Sequence, residues 1–139
     1  MKLLRSLAVL MLALLMVTVG TAQDNPDGFP EPSKVVIAGS FKDEVGCSGE
    51  WQPPCDTTAL TFNAETGLWE GAFEIPAGDY ALKVALDGAW DRNYGAGAVA
   101  SGPDIPLSVA DTTTVTFTYD HRTGAISDTI NAEQPNERP

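Results

Sequence analysis

The chain has 139 residues, of which 19 are acidic and 8 are basic, giving a formal net charge of −11 at pH 7. A chain of this length accommodates one small domain. An acidic surface repels phosphate groups, so the charge excludes nucleic acid as a partner and disfavours anionic membrane surfaces.

The first 22 residues are predicted to be a secretory signal peptide. Lys2 and Arg5 precede an apolar run at residues 6–19, and the small residues at 20–22 suit a cleavage site. This run is shorter than the about 20 apolar residues of a spanning helix, so an uncleaved anchor is the weaker alternative. Cleavage would remove two cations and no acid, moving the net charge from −11 to −13. We therefore expect a secreted protein, extracellular or periplasmic, with no membrane contact after cleavage.

Polar segments flank the predicted folded unit, which we place at residues 34–130. Residues 23–33 contain three prolines and predict an extended linker. Residues 131–139 are mostly polar and contain two prolines, which predicts a disordered tail.

The folded unit is predicted to be all-β. Apolar residues recur with a period of two and are interrupted by turn signals, of which Asp87-Gly88 is the strongest hairpin signal. Residues 91–104 are rich in glycine and are predicted to form a loop. The spacing favours an immunoglobulin-like antiparallel β-sandwich of about seven strands. The predicted strands cover residues 35–40, 59–63, 68–75, 79–86, 105–109, 114–119 and 125–128.

Cys47 and Cys55 are the only two cysteines. Export to an oxidising compartment predicts a disulfide between them, which closes a short loop that carries Trp51. Two cysteines and one distant histidine do not supply four zinc ligands, and we expect no metal site. The bond is interpreted as a structural staple or as a staple that presents Trp51, and the two interpretations are compatible.

The aromatic residues divide into core and candidate ligand-binding positions. Trp69 lies mid-strand and is predicted to be core, whereas Trp51 and Trp90 lie in predicted loops. Flat aromatic faces beside amide, carboxylate and cationic groups are typical of small-ligand sites, and indoles stack on the apolar faces of sugars. The candidate ligand-binding residues are Trp90, Tyr94, Trp51, Lys83, Asp91 and Asn93. The alternative is that both loop indoles are buried and that Lys83 lies on a solvated face or protects an edge strand.

The sequence contains no pattern that indicates catalysis. His121 falls in a predicted turn, and no nucleophile motif accompanies it, so we expect no catalytic residue and no cofactor. Asp87, Asp91 and Asn93 form a sparse set of oxygen ligands, but the calcium-loop spacing is absent, which favours solvated acids.

Several motifs together resemble one family. They are V-V-I-A-G-S at 35–40, G-C-S-G-E-W-Q-P-P-C at 46–55, W-x-G-x-F-x-I-P-A-G-x-Y at 69–80, D-G-x-W at 87–90 with N-Y-G at 93–95, and F-T-Y-D-H at 117–121. Across residues 34–128 the chain resembles the immunoglobulin-like accessory module of bacterial amylopullulanases. It is more loosely similar to starch- and glycogen-binding modules.

The resemblance implies a sandwich fold and an association with α-glucan metabolism. Our leading hypothesis is a secreted, non-catalytic module that binds α-glucan by aromatic stacking, either freestanding or as a fragment of a larger enzyme. The alternative is a structural spacer, or a domain that docks other secreted proteins. Stacking predicts exposed, roughly coplanar indoles at Trp51 and Trp90, whereas the alternative predicts that both are largely buried.

Overall fold

The computed structural model describes residues 30–132. The predicted signal peptide, residues 23–29 of the predicted linker and residues 133–139 of the predicted tail lie outside this range. The described chain forms eight strands and two 3₁₀ turns, at Asp56–Thr58 and Ala96–Ala98, and it ends in the short helix α1 at Thr129–Ala132. The strands are β1 Val35–Gly39, β2 Thr61–Asn63, β3 Leu68–Ile75, β4 Gly78–Leu86, β5 Ala89–Tyr94, β6 Ile105–Val109, β7 Thr113–Asp120 and β8 Ala125–Asp128.

The strands form two antiparallel sheets, which confirms the predicted all-β sandwich. In the first sheet β4 is central, with β1 on one edge and β5 and β6 pairing with it as well. The second sheet has the order β2-β3-β7-β8. Leu82 pairs with both Gly39 and Ile105, and Val84 pairs with both Ile37 and Tyr94. Because one residue has only two neighbours in a sheet, β5 and β6 lie end to end along the edge of β4 opposite β1.

The core lies between the sheets and is built from alternate residues of each strand. On β4 the inward residues Leu82, Val84 and Leu86 are buried, as the period of two predicts. Trp69 is also buried, confirming it as core, and its Nε1 donates a hydrogen bond to Nδ1 of His121 at 3.3 Å. His121 therefore occupies the predicted turn but closes the core beside Trp69.

Two features differ from the sequence-based expectation. Residues 89–94 form strand β5, whereas the sequence predicts a loop from residue 91 onward. Asp87 and Gly88 both have positive φ, 57° and 72°, so the chain reverses in two residues and continues directly alongside β4. At the end of the predicted linker, Pro32 is buried and the backbone N–H of Ser33 donates to Asp87 at 2.8 Å, so this end packs on the domain.

The segment at residues 40–60 covers the free edge of β1. The backbone carbonyl oxygens of Val35, Ile37 and Gly39 accept hydrogen bonds from the N–H of Leu60 (2.8 Å), Oγ1 of Thr58 (2.6 Å) and the N–H of Trp51 (3.0 Å), respectively. An uncovered edge strand would expose these groups as a template for pairing with other chains. The segment contains the Cys47–Cys55 disulfide, which confirms the predicted pairing.

Candidate functional site

The outer face of the first sheet has an interruption at Lys83. β6 pairs with β4 up to Leu82, and β5 pairs with it from Val84 onward. Residues paired across neighbouring strands share a face, so Lys83, Ala85 and Asn93 all lie on the outer side. The next position along β6, Asp104, falls opposite Lys83. The register therefore brings a cation, an amide and a carboxylate to one place on this face.

Trp51 reaches this place from beyond the edge of β1. Its backbone N–H is bonded to the carbonyl of Gly39, the last residue of β1, and its φ is 52°. That value lies in the left-handed region, which residues other than glycine seldom adopt and which the surrounding structure must hold in place. The disulfide closes the chain on both sides of Trp51, with the Cα atoms of Cys47 and Cys55 6.1 Å apart.

Trp51 and Trp90 form the two aromatic sides of one cleft. Their ring centroids are 6.3 Å apart and their planes are inclined by 45°. The cleft has a volume of about 340 Å³ and is lined by these two indoles together with Lys83, Asn93 and Asp104. Trp90 is 39% exposed and Trp51 is partly exposed. The rings are thus accessible, as stacking requires. They are inclined to one another, whereas the sequence predicts roughly coplanar rings.

Asn93 supplies an unused acceptor at this site. The residue is 9% exposed, and its Nδ2 donates to the backbone carbonyl of Trp90 at 2.8 Å. Its Oδ1 is buried and has no hydrogen-bond partner within the part of the chain that the structure describes. Buried polar atoms are nearly always paired, because leaving one unpaired costs about 1–3 kcal/mol. A hydroxyl donor entering the cleft would remove this cost.

The cleft is close to neutral although the chain is strongly acidic. Lys83 and Asp104 carry opposite charges and face it together. Within residues 30–132 neither of them forms an ion pair closer than 4 Å. Both side chains therefore have donor or acceptor capacity available for a ligand that carries no net charge.

The structure places four of the six predicted ligand-binding residues in this cleft: Trp51, Trp90, Lys83 and Asn93. Tyr94 lies elsewhere, with its ring 6.1 Å from that of Tyr119 and directly over Gly124, where it joins the two sheets. Asp91 is exposed on β5 outside the cleft. Trp90 and Asn93 share the cleft despite their odd spacing because the β4–β5 register shifts between Ala85 and Leu86.

Sequence reasoning missed Asp104. The signal available was its position between Pro103 and the first residue of a predicted strand, which places it at the end of β6. Only the alignment of β6 with β4 shows that this position faces Lys83.

Of the acids considered as cation ligands, Asp87 is already engaged. Asp87 pairs with Arg92 at 2.6 Å and accepts from Ser33, and the hydrogen bond from Arg92 is the main cause that lowers the pKa of Asp87. No group of three or more potential metal-ligating side chains occurs between residues 30 and 132.

A larger groove, of about 630 Å³, lies where the Ala96–Ala98 turn approaches β8 and α1. Its lining is mainly small and aliphatic and contains no aromatic ring. Its polar groups bond to one another, since Asn131 donates to both oxygens of Asp128 at 2.7 Å. The smaller cleft is therefore the better candidate for a polar ligand.

The described chain contains no helix long and apolar enough to cross a membrane.

Comparison with known proteins gives consistent matches. The family profile described as "Pullulanase X25 domain" matches residues 34–126, a range that includes every residue lining the cleft. The amylopullulanase of Thermoanaerobacter thermohydrosulfuricus is 34% identical over 91 residues, covering 66% of this chain and 6% of that protein. The amylopullulanase of Thermoanaerobacterium thermosulfurigenes is 32% identical over 87 residues, covering 63% of this chain and 5% of that protein.

A solved structure also matches. The pullulanase from Bacillus acidopullulyticus superposes with a TM-score of 0.63 and 30% sequence identity, covering 78% of this chain and 12% of that chain. The chain thus spans between 5% and 7% of the length of the curated relatives it matches.

Proposed function

Since the chain belongs to the pullulanase X25 domain family, we propose that it is a non-catalytic module that binds α-glucan of the starch or pullulan type. The sugar rings stack on Trp51 and Trp90, and Lys83, Asn93 and Asp104 contact the hydroxyl groups. The module acts outside the cytoplasm after export through the predicted signal peptide.

The observation that carries this proposal is the cleft itself. Two accessible indoles 6.3 Å apart provide apolar faces, and Asn93, whose buried amide oxygen has no partner among the described residues, lines the cleft together with a cation and a carboxylate. An apolar platform with a few convergent polar groups is the general form of a small-ligand site. A neutral, hydroxyl-rich ligand satisfies both parts of this cleft.

The angle between the rings favours a curved ligand. An α-linked glucan chain bends, so the faces of successive glucose units are inclined to one another. Two indoles inclined by 45° differ from the coplanar pair expected from the sequence and are compatible with such a bend. The same cleft contains a single carboxylate, Asp104, whereas glycoside hydrolysis uses two carboxylates that flank the bond to be cleaved.

Trp90→Ala tests the proposal. Trp90 is exposed and contributes little to the core, so the variant should unfold with an unchanged midpoint but lose retardation in affinity gels that contain soluble starch or pullulan. Removing one stacking platform is expected to weaken binding by about thirtyfold, the loss that corresponds to an interface residue worth about 2 kcal/mol.

Val99→Ala is the matched control. Val99 is 51% exposed and lies outside the cleft, so the substitution removes exposed apolar surface without touching the site. Retardation should be unchanged. Equal retardation of Trp90→Ala and the unmodified protein would overturn the assignment of Trp90.

The alternative proposal is a spacer or protein-docking domain. The observation that favours it is the partial burial of Trp51, because a spacer or docking domain predicts that the loop indoles are buried. A folded, disulfide-bonded protein that migrates identically with and without starch or pullulan would support this alternative and direct the search to secreted protein partners.

A further inference from the structure

Lys42 is an unusual residue for its position. It is fully buried, although lysine is almost never buried without a partner. Its Nζ donates to the backbone carbonyl of Cys55 and to Oγ1 of Thr58, each at 2.8 Å. Across residues 30–132 no carboxylate comes within 4 Å of the ammonium group. The two hydrogen-bond acceptors of the ammonium group are therefore both neutral oxygens.

These contacts attach Lys42 to both ends of the disulfide ring. Its side chain binds the carbonyl of Cys55, and its own backbone carbonyl accepts from the N–H of Cys47 at 3.0 Å. Thr58 then donates its hydroxyl hydrogen to the carbonyl of Ile37, which continues the network into β1. The ring that contains Trp51 is thus tied to the sheet through Lys42.

The position of Trp51 depends on the loop that carries it. Its backbone N–H is bonded to Gly39, and its φ of 52° is a conformation that requires support from the surrounding structure. The disulfide limits how far the ring can open, and within the ring Gln52 bonds to Ser48 and to the backbone N–H of Cys55, but none of these contacts ties the ring to the sheet. The Lys42 network is the additional constraint that keeps the two ends of the ring at their places on the edge of β1.

We propose that Lys42 is a positioning residue that holds the Cys47–Cys55 loop so that Trp51 faces Trp90 across the cleft. The effect on glucan binding rests on the proposed function of the cleft, whereas the effect on the Trp51–Trp90 geometry does not. A merely structural lysine would change the stability of the domain and leave that geometry unchanged.

The test uses the full chain, expressed under oxidising conditions, and reads the geometry by circular dichroism. Two indoles at this distance couple and give an exciton couplet, which is assigned by its loss in Trp51→Phe and in Trp90→Phe. Lys42→Met fills the same space but donates no hydrogen bond. We expect Lys42→Met to unfold cooperatively with an intact disulfide, to lose most of the couplet, and to bind starch about tenfold more weakly.

Lys34→Met is the matched control, because Lys34 is a partly exposed lysine that pairs with Asp56 at 2.5 Å in the same turn that holds Thr58. The Lys34→Met protein should keep the full couplet and the starch retention of the unmodified protein. Thr58→Val preserves side-chain shape but removes the acceptor for Lys42, and it should reduce the couplet in part. It also carries the test if Lys42→Met does not fold.

Two results would overturn the proposal: a folded Lys42→Met with the full couplet, or, where that variant fails to fold, Thr58→Val with the full couplet. Loss of the couplet in Lys42→Met, in a protein whose unmodified form shows no starch retention, would support the positioning role and reject the proposed function instead.

Discussion

Lys42 shows how burial changes the ionisation of a single side chain in this domain. Burial lowers the pKa of Lys42 from 10.5 to about 8, and the nearby charge of Asp56 opposes part of this shift. The folded state therefore releases the proton of Lys42 at a lower pH than the unfolded state does. Between these two pKa values the unfolded chain binds more protons, so the stability contributed at this residue rises with pH.

This linkage predicts a pH-dependent difference between the unmodified protein and Lys42→Met. Below pH 8 the buried charge costs its full amount, and that cost disappears as the pH approaches 10.5. From pH 7 to pH 10 the unmodified protein should gain about 2–3 kcal/mol of unfolding free energy relative to the variant. Urea unfolding of both proteins at the two pH values measures the gain, and an unchanged difference would show that the lysine titrates normally.

Two tyrosine hydroxyls provide a second test at the residue scale. The hydroxyl of Tyr80 donates to the carbonyl of Pro76 at 3.0 Å, whereas the hydroxyl of Tyr119 is buried and has no partner among the described residues. Tyr80→Phe should cost about 1 kcal/mol of unfolding free energy, and Tyr119→Phe should be neutral or stabilising. Urea unfolding compares them directly. A larger loss in Tyr119→Phe would reveal a bound water or another acceptor at that hydroxyl.

At the scale of elements, β5 shows why a strand can be missing from a sequence-based prediction. Its residues are mostly polar, so the usual alternation is weak, and the register shift places Trp90 and Asn93 on the same side at a spacing that a regular strand would not allow. The Asp87-Gly88 turn was the reliable signal, because a two-residue hairpin turn requires a strand on both sides. The turn prediction is confirmed, whereas the loop predicted at residues 91–104 is wrong for residues 91–94, which belong to β5.

The covering of the β1 edge is the second feature at the scale of elements. Its residues are buried throughout, which explains why the sequence there is continuously apolar and not alternating. The free edge is covered by the disulfide-bonded segment. Because this segment also carries Trp51, covering the edge places Trp51 near the outer face of the sheet. Protection of an edge strand and construction of the cleft are therefore the same feature of the fold.

For the whole molecule, the charge distribution predicts how binding responds to salt. The chain carries a net charge of −11, but the cleft combines one cation with one carboxylate. Sedimentation with starch granules should be unchanged between about 0.1 M and about 1 M sodium chloride, although the screening length falls from about 10 Å to about 3 Å. Retention that declines steeply with salt would contradict stacking on a neutral sugar and favour docking to a basic partner.

The sequence by itself determined the sheet class, most strands, the disulfide and the core position of Trp69, since these follow from local periodicity, turn chemistry and cysteine pairing. It also singled out four residues of the cleft by their chemical types. It did not separate Tyr94, whose ring fills the space between the sheets, from Trp90, whose ring faces outward, because both are aromatic residues of one segment. Only the tertiary structure decided which of the predicted ligand-binding residues lie together in the cleft. The joint placement of Trp51, Lys83, Asn93 and Asp104 depends on how β1, β4, β5 and β6 align, and that alignment is set by contacts between residues distant in the chain.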